Sequence, residues 1–240
     1  MPSYYLPSLS KDTSTVVVAG EEFHHLSRVK RVAVGDKVFL NSGEGYLAEG
    51  VISTLDKHKA AVNIRLCSFY PAPAPAFAMA FALLKNHHDE MLVEKCTELG
   101  AFHFFPMDTR YSVRNPGKNT ISRFEKVALA AIKQCDNPWL PSVASISSLD
   151  KAIQRCMDQG FTPIVCSERK PERWLHHVIT DLGINPCFFI GPEGGWAGEE
   201  LRVFESLAIP EISISNLVLR AETAAIAIAA QWNLQSSKLR

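Results

Sequence analysis

The 240-residue chain has no excess charge of either sign: 25 Lys and Arg face 25 Asp and Glu, for a formal net charge of zero. A protein that grips nucleic acid over a broad face is usually basic, so this balance leaves any phosphate contact to local clusters. Metal and redox spacings are missing too. None of Cys67, Cys96, Cys135, Cys156, Cys166 and Cys187 forms a C-x-x-C pair, and several sit in apolar runs, so reduced, buried thiols are expected. The histidine pairs His24-His25, His87-His88 and His176-His177 are adjacent in sequence and face apart on a helix, and H-x-x-x-H is absent, so no metal is expected. There is no G-x-S-x-G nucleophile elbow and no G-x-x-x-x-G-K-[ST] phosphate loop. The longest apolar stretches, residues 77–84 and 224–230, are too short to cross a bilayer. Residues 1–10 have neither the basic start nor the apolar core of a signal peptide, so a cytoplasmic protein is expected.

What is present is a hydrophobic fraction of 47%, enough for a true core. Up to about Tyr70 the chain is β-rich, with strand composition at residues 15–19, 37–40, 46–52 and 60–66. Asn41-Ser42-Gly43-Glu44-Gly45 reads as a hairpin turn; Gly43-x-Gly45-x-x-Ala48 only mimics a dinucleotide fingerprint, because a β-like run follows where a helix should open. Alternating prolines at 71–76 can neither pair in a sheet nor propagate a helix and mark a junction. Beyond it, strands alternate with helices. Strands are expected at 76–84, 102–107, 143–146, 162–166, 187–190 and 211–215. Helices are expected at 88–99, 124–135, 149–157, 172–179, 199–207 and 220–235. Met91, Leu92, Cys96 and Leu99 mark the inner face of the first helix, and Ser122-x-x-Glu125 reads as a capping box for the second. The pattern predicts an α/β fold with a mostly parallel sheet covered on both faces.

Two segments carry the functional signal. Phe189-Ile190-Gly191-Pro192-Glu193-Gly194-Gly195-Trp196 reads as a buried strand entering a glycine-rich turn, where backbone can approach a ligand closely. Leu217-Val218-Leu219-Arg220-Ala221-Glu222-Thr223-Ala224 reads as a loop entering an Ala-rich helix. Both would stand at the carboxyl edge of the sheet, where open α/β folds bind ligands. Glu222 in a first helical turn complements the dipole without any ligand, but a cation at Arg220 opposes it and calls for a compensating group: Glu222, Glu193 or a bound anion. His24-His25-Leu26-Ser27-Arg28-Val29-Lys30-Arg31 is the one dense basic cluster, either a solvated amphipathic helix or a phosphate-contacting patch.

These residues resemble the RsmE family of methyltransferases, which modify a uridine of 16S ribosomal RNA at ring nitrogen 3. The two loops, Ile190 to Gly195 and Leu219-Arg220-x-Glu222-Thr223-Ala224, are similar to its signatures. So are Lys95-x-Thr97-Glu98-Leu99-Gly100, Gln134, Pro141, and Phe23-His24-His25-Leu26-x-Arg28-Val29-x-Arg31 with Gly35-Asp36. The resemblance implies a PUA-like, RNA-binding β-barrel at 1–70, a linker at 71–76 and a SPOUT domain with a trefoil knot at 77–240. It implies S-adenosylmethionine as cofactor, with Glu168, Ile190, Gly191, Gly195, Ile214, Ser215 and Leu219 around it, and Arg220 and Glu222 as catalytic residues. It implies RNA contacts at His25, Arg28 and Arg31, the small-subunit 16S rRNA as partner, and a homodimer without membrane attachment. On this reading Arg220 stabilises the uracil anion, and Glu222 orients Arg220 or passes on the proton.

The chain departs from the family pattern mainly by losing cations. Ser3, Tyr111, Asn137 and Leu217 stand where the family has basic residues, and Ser215 where it has a glycine. Two other readings therefore stay open: a SPOUT methyltransferase acting on another rRNA or tRNA nucleotide, and a non-catalytic RNA-binding or assembly factor with the same fold.

Overall fold

The structure, a computed structural model, describes residues 3–30, 32–113, 115–169, 173–179 and 185–236. The chain divides into two compact units: residues 1–72 with 129–140, and residues 73–128 with 141–240.

The first unit is built on β1 (Tyr4–Tyr5), β2 (Thr15–Ala19), β3 (Lys37–Asn41), β4 (Tyr46–Leu55) and β5 (Lys59–Phe69), in the sheet order β1-β3-β4-β5-β2. All pairings are antiparallel except β1 with β3. Alternation decides which face is inside: Val16 and Val18 are buried, while Val17 between them is exposed. The turn joining β3 to β4 is held by its own polar side chains. Asn41 Oδ1 accepts from Gly43 N–H (2.8 Å), and Ser42 Oγ accepts from Glu44 N–H (2.9 Å) and Tyr46 N–H (3.0 Å). Helix α1 (Gly20–Lys30) buries Phe23 and Leu26, one turn apart, and leaves His24 and His25 in solvent. The C-terminal part of helix α3 (Thr120–Cys135) belongs to this unit, with Lys133 Nζ 2.6 Å from Glu22 Oε1.

Gly45 is a tightly packed point of the unit. Its φ is +93°, and an added Cβ would stand 2.7 Å from both the Phe69 ring and the Tyr70 carbonyl oxygen and 2.8 Å from the Trp139 ring. Gly45→Ala combines a left-handed backbone with overpacking against main chain, so a loss of about 2–4 kcal/mol is expected in denaturant unfolding. A loss under about 1 kcal/mol, the range of a relaxed surface turn, would contradict this packing.

The second unit carries a six-stranded, wholly parallel sheet. Its strands are β6 (Ala78–Ala82), β7 (His103–Met107), β8 (Ser142–Val143), β9 (Phe161–Cys166), β10 (Asn185–Ile190) and β11 (Glu211–Ile212), in the order β11-β9-β10-β6-β7-β8. Every residue of β6 is buried, as a parallel strand covered on both faces requires. The helices are α2 (His88–Glu98), α3, α4 (Leu149–Asp158), α5 (Leu175–Ile179), α6 (Gly198–Ser206) and α7 (Ala221–Ser236). On α4 the buried set is Leu149, Ala152, Ile153 and Cys156, the spacing of one helical face. Helix α2 packs along α7, with Asn233 Nδ2 donating to the Leu99 carbonyl (2.7 Å).

Local expectations are corrected in several places. Helix α3 begins at Thr120, not Phe124: Gly117 N–H donates to Thr120 Oγ1 (2.9 Å), so the loop closes early and Ser122 falls inside the first turn. Met91 is 46% exposed, because the inner face of α2 runs through Leu92, Val93, Cys96 and Thr97 instead. The strands expected at 143–146 and 211–215 shrink to two residues each, β8 and β11. Of the helix expected at 172–179, Glu172 lies outside the described residues and α5 covers the rest from Leu175. All six cysteines are free, and Cys96, Cys156, Cys166 and Cys187 are buried. Burial pushes the Cys187 thiol well above its ordinary range, which makes it inert. Among the described residues, no helix is long and apolar enough to cross a membrane.

Candidate active site

The carboxyl ends of β9, β10 and β11 open into one cavity of about 300 Å³. Its walls are residues 166–168 after β9, the glycine-rich turn after β10, and the segment from Ile214 to Ala221 after β11. The loops are tied to one another. Trp196 Nε1–H donates to the Cys166 carbonyl (3.4 Å), joining the β10 turn to the β9 loop. Ser213 Oγ donates to the Ser167 carbonyl (3.2 Å), joining the β11 loop to the β9 loop. Gln231 Nε2 on α7 donates to the Ile214 carbonyl (3.0 Å), and Ser215 Oγ accepts from Leu217 N–H (3.0 Å).

Two glycines shape the wall. A Cβ on Gly191 would meet the Trp196 indole at 3.1–3.3 Å, so the indole lies on bare backbone. Gly195 has φ +72°, which lets the turn double back with its N–H donating to the Pro192 carbonyl (2.9 Å). The Glu168 carboxylate lies beside it, with Oε1 3.9 Å from where a Gly195 Cβ would stand.

Arg220 lines the same cavity and is exposed; its carbonyl accepts from Ala224 N–H (2.8 Å), which makes it the cap of α7. Among the described residues its guanidinium makes no ion pair, neither with Glu193 nor with Glu222. Glu222 is buried, 7% exposed, and its Oε1 lies 3.2 Å from His88 Nδ1 at the start of α2. Glu193 Oε1 accepts from Lys85 N–H (3.0 Å). The segment after β6 thus holds both loops: Lys85 takes the glycine-rich turn and His88 takes the start of α7. Asn86 (φ 52°) and His87 (φ 61°) are both left-handed between these two contacts.

Of the residues singled out in the sequence, Glu168, Ile190, Gly191, Gly195, Ile214, Ser215, Leu219 and Arg220 all line this one cavity, and Glu222 sits behind Arg220 against His88. Sequence reasoning gave no role to Trp196 or His88. Trp196 stands inside the glycine-rich turn, where a large aromatic after three glycines was the available signal. The partner of His88 is 134 positions away, and no local pattern reveals it. In the first unit His25 is exposed on α1; the side chain of Arg28 and all of Arg31 lie outside the described residues. His87, Asp89 and Glu90 bring ligand-type atoms within 4.8 Å of one another. Glu90 is already met by His87 Nδ1 (2.7 Å) and Arg123 Nη2 (2.9 Å), so its carboxylate is engaged within the protein.

A family model described as an RNA methyltransferase domain matches residues 72–233, and one described as an RNA methyltransferase PUA domain matches residues 18–65. The chain is 27% identical over 222 residues to the ribosomal RNA small subunit methyltransferase E of Synechocystis, covering 92% of this chain and 73% of that protein. It is 26% identical over 229 residues to the Mycobacterium bovis protein of the same name, covering 92% and 87%. The crystal structure of a ribosomal RNA small subunit methyltransferase E from Neisseria gonorrhoeae bound to S-adenosyl methionine shares the fold, with a TM-score of 0.85 at 21% identity over 98% of each chain. With the methyltransferase domain spanning well over half of its length, the chain belongs to the family of RNA methyltransferases that pair this domain with a PUA domain and that includes ribosomal RNA small subunit methyltransferase E.

Proposed function

We propose that the chain transfers a methyl group from S-adenosylmethionine to ring nitrogen 3 of a uridine in 16S ribosomal RNA of the small subunit. The observation that carries this reading is the single cavity formed by both signature loops, with an exposed arginine at its wall that makes no ion pair among the described residues. The residues suit the cofactor. Gly191 offers backbone where a side chain would intrude, the segment from Ile214 to Leu219 offers backbone polar groups, and the Glu168 carboxylate suits a cationic ligand. When bound, S-adenosylmethionine supplies an electrophilic methyl on a sulfonium.

The protein's own task is to expose the base, ease the loss of its N3 proton and align the attack. As the N3 proton passes to solvent water, negative charge spreads onto the ring oxygens. Arg220 donates to one of them, as a preorganised oxyanion donor does. Glu222 acts from behind: paired with His88, it fixes the first turn of α7 and so the position of Arg220. Nitrogen 3 then forms its bond to carbon as the carbon–sulfur bond breaks. Positioning of two bound reactants supplies up to ~7–11 kcal/mol in favourable systems. The same reading takes the parallel unit as a SPOUT domain with a trefoil knot, where the chain from β10 crosses β9 to reach β11. It also carries a homodimer and a cytoplasmic location.

The test is incubation with labelled S-adenosylmethionine and unmodified small subunits, followed by location of the label. Label on one uridine at nitrogen 3 is expected. Label on another base or on tRNA would replace the target, and no label with intact cofactor binding would leave a non-catalytic RNA binder.

The basic cluster at residues 24–31 is proposed to dock the RNA through His25, Arg28 and Arg31. Replacing Arg28 and Arg31 by Ala is expected to weaken RNA binding and flatten its log–log salt slope by roughly 0.7–0.9 for each phosphate no longer neutralised. Cofactor affinity should not change. An unaltered slope would remove this cluster from the interface.

A further inference from the structure

Beside the cofactor cavity lies a second, open groove at the carboxyl ends of β6, β7 and β10. Its walls come from Lys85, Arg110, Tyr111, Val113 and Gly194. Glu193 lines both hollows, and Gly194 of the groove is followed directly by Gly195 of the cavity. One turn of backbone therefore separates them.

The groove is held from below while its working side chains stay free. Arg110 N–H donates to Glu200 Oε1 (2.9 Å), and the other Glu200 oxygen accepts from Ala197 N–H (2.8 Å). Ser112 N–H donates to the Thr109 carbonyl (3.0 Å), which closes the loop carrying Tyr111. The Lys85 backbone is held by Glu193. These bonds use the main chain of Lys85 and Arg110 and leave both cationic side chains exposed, without an ion pair among the described residues. Tyr111 rests on Gly194, with its Cβ 3.0 Å and its Cγ 3.5 Å from where a Gly194 Cβ would stand, yet it is 48% exposed. An exposed aromatic ring backed by main chain and flanked by two free cations has the makings of a stacking site for a nucleobase with its phosphates.

We propose that this groove binds a single-stranded RNA nucleotide next to the one being methylated, with its base stacked on Tyr111 and its phosphates met by Lys85 and Arg110. The inference rests on the proposed function for the identity of the neighbouring hollow. It gives Tyr111 the role of holding the flanking base, so that the target base is drawn from its stack toward the cavity. Exposing a base is unfavourable, and a stacking partner for its neighbour offsets part of that cost.

The test uses the full-length protein and a short uridine-containing oligoribonucleotide with a fluorescent purine beside the uridine. Binding should quench the purine in the wild type. Tyr111→Ala is expected to lose about 5- to 100-fold in oligonucleotide affinity and most of the quenching. S-adenosylmethionine affinity by calorimetry should be unchanged, and Tyr111→Phe and Tyr111→Trp should restore both RNA readouts. Lys85→Gln and Arg110→Gln should each reduce the salt slope by about 0.7. If Tyr111→Ala binds and quenches like the wild type, or if Tyr111→Ala weakens cofactor binding as much as RNA binding, the groove is not a base site. Failure of the parent reading has a different signature: no methyl transfer to any RNA by the wild type, whatever Tyr111 does to binding.

Discussion

Arg220→Ala is expected to slow methyl transfer about 10²- to 10³-fold, the loss seen when one oxyanion donor is removed. Affinity for S-adenosylmethionine should stay within about threefold, because an interaction made only in the transition state shows in kcat and not in ground-state binding. The expectation comes from the electrostatics of its place. Arg220 caps α7, where the positive end of the helix dipole opposes a cation. The two carboxylates that could have neutralised it are engaged elsewhere, Glu193 with Lys85 N–H and Glu222 with His88. An exposed guanidinium at a cavity wall, without an ion pair among the described residues, can meet an anion that forms only during reaction. Arg220→Lys keeps the charge but loses the planar fork, so it should recover only part of the rate. Near-normal turnover of Arg220→Ala on ribosomal RNA, measured with saturating cofactor, would remove Arg220 from the chemistry.

Gly191→Val is expected to weaken S-adenosylmethionine binding by about 10- to 100-fold, the equivalent of about 1–3 kcal/mol of overpacking. The backbone at Gly191 is not left-handed, so the substitution acts through bulk alone. The Trp196 indole, 3.1–3.3 Å from the new Cβ, must give way. It is held by its hydrogen bond to Cys166 and by an edge contact with Phe204, with ring centroids 5.0 Å apart. The valine methyls then either enter the cavity or push the indole across it. Gly191→Ala should show a smaller loss in the same direction. Calorimetric titration of both variants checks the order; equal affinity for wild type and Gly191→Val would mean that this wall does not touch the donor.

The long periodic elements were legible in the sequence because one face of each had to be apolar. Leu149, Ala152, Ile153 and Cys156 announce α4, and the unbroken apolar run of β6 announces a strand covered on both faces. The two-residue strands β1, β8 and β11 were read poorly or not at all. So short a strand has no period of its own and exists only through its partner, as Tyr4 does beside Leu40. The start of α3 was misplaced because Ser122 and Glu125 fit a cap equally well one turn too late. At the site, glycines and a misplaced cation pointed to the two loops, since both are anomalies that local chemistry leaves unexplained. The pairing of Glu222 with His88 and the clip of Glu193 on Lys85 could not be read, since each joins residues more than a hundred positions apart and follows from the sheet order alone.

The most direct measurement is a crystal structure of the protein soaked with S-adenosylmethionine. The account predicts the donor between the Gly191–Trp196 turn and the Ile214–Arg220 segment, with its methyl group turned toward Arg220. Donor bound at any other face of the protein, or these two loops empty at saturating donor, would contradict it.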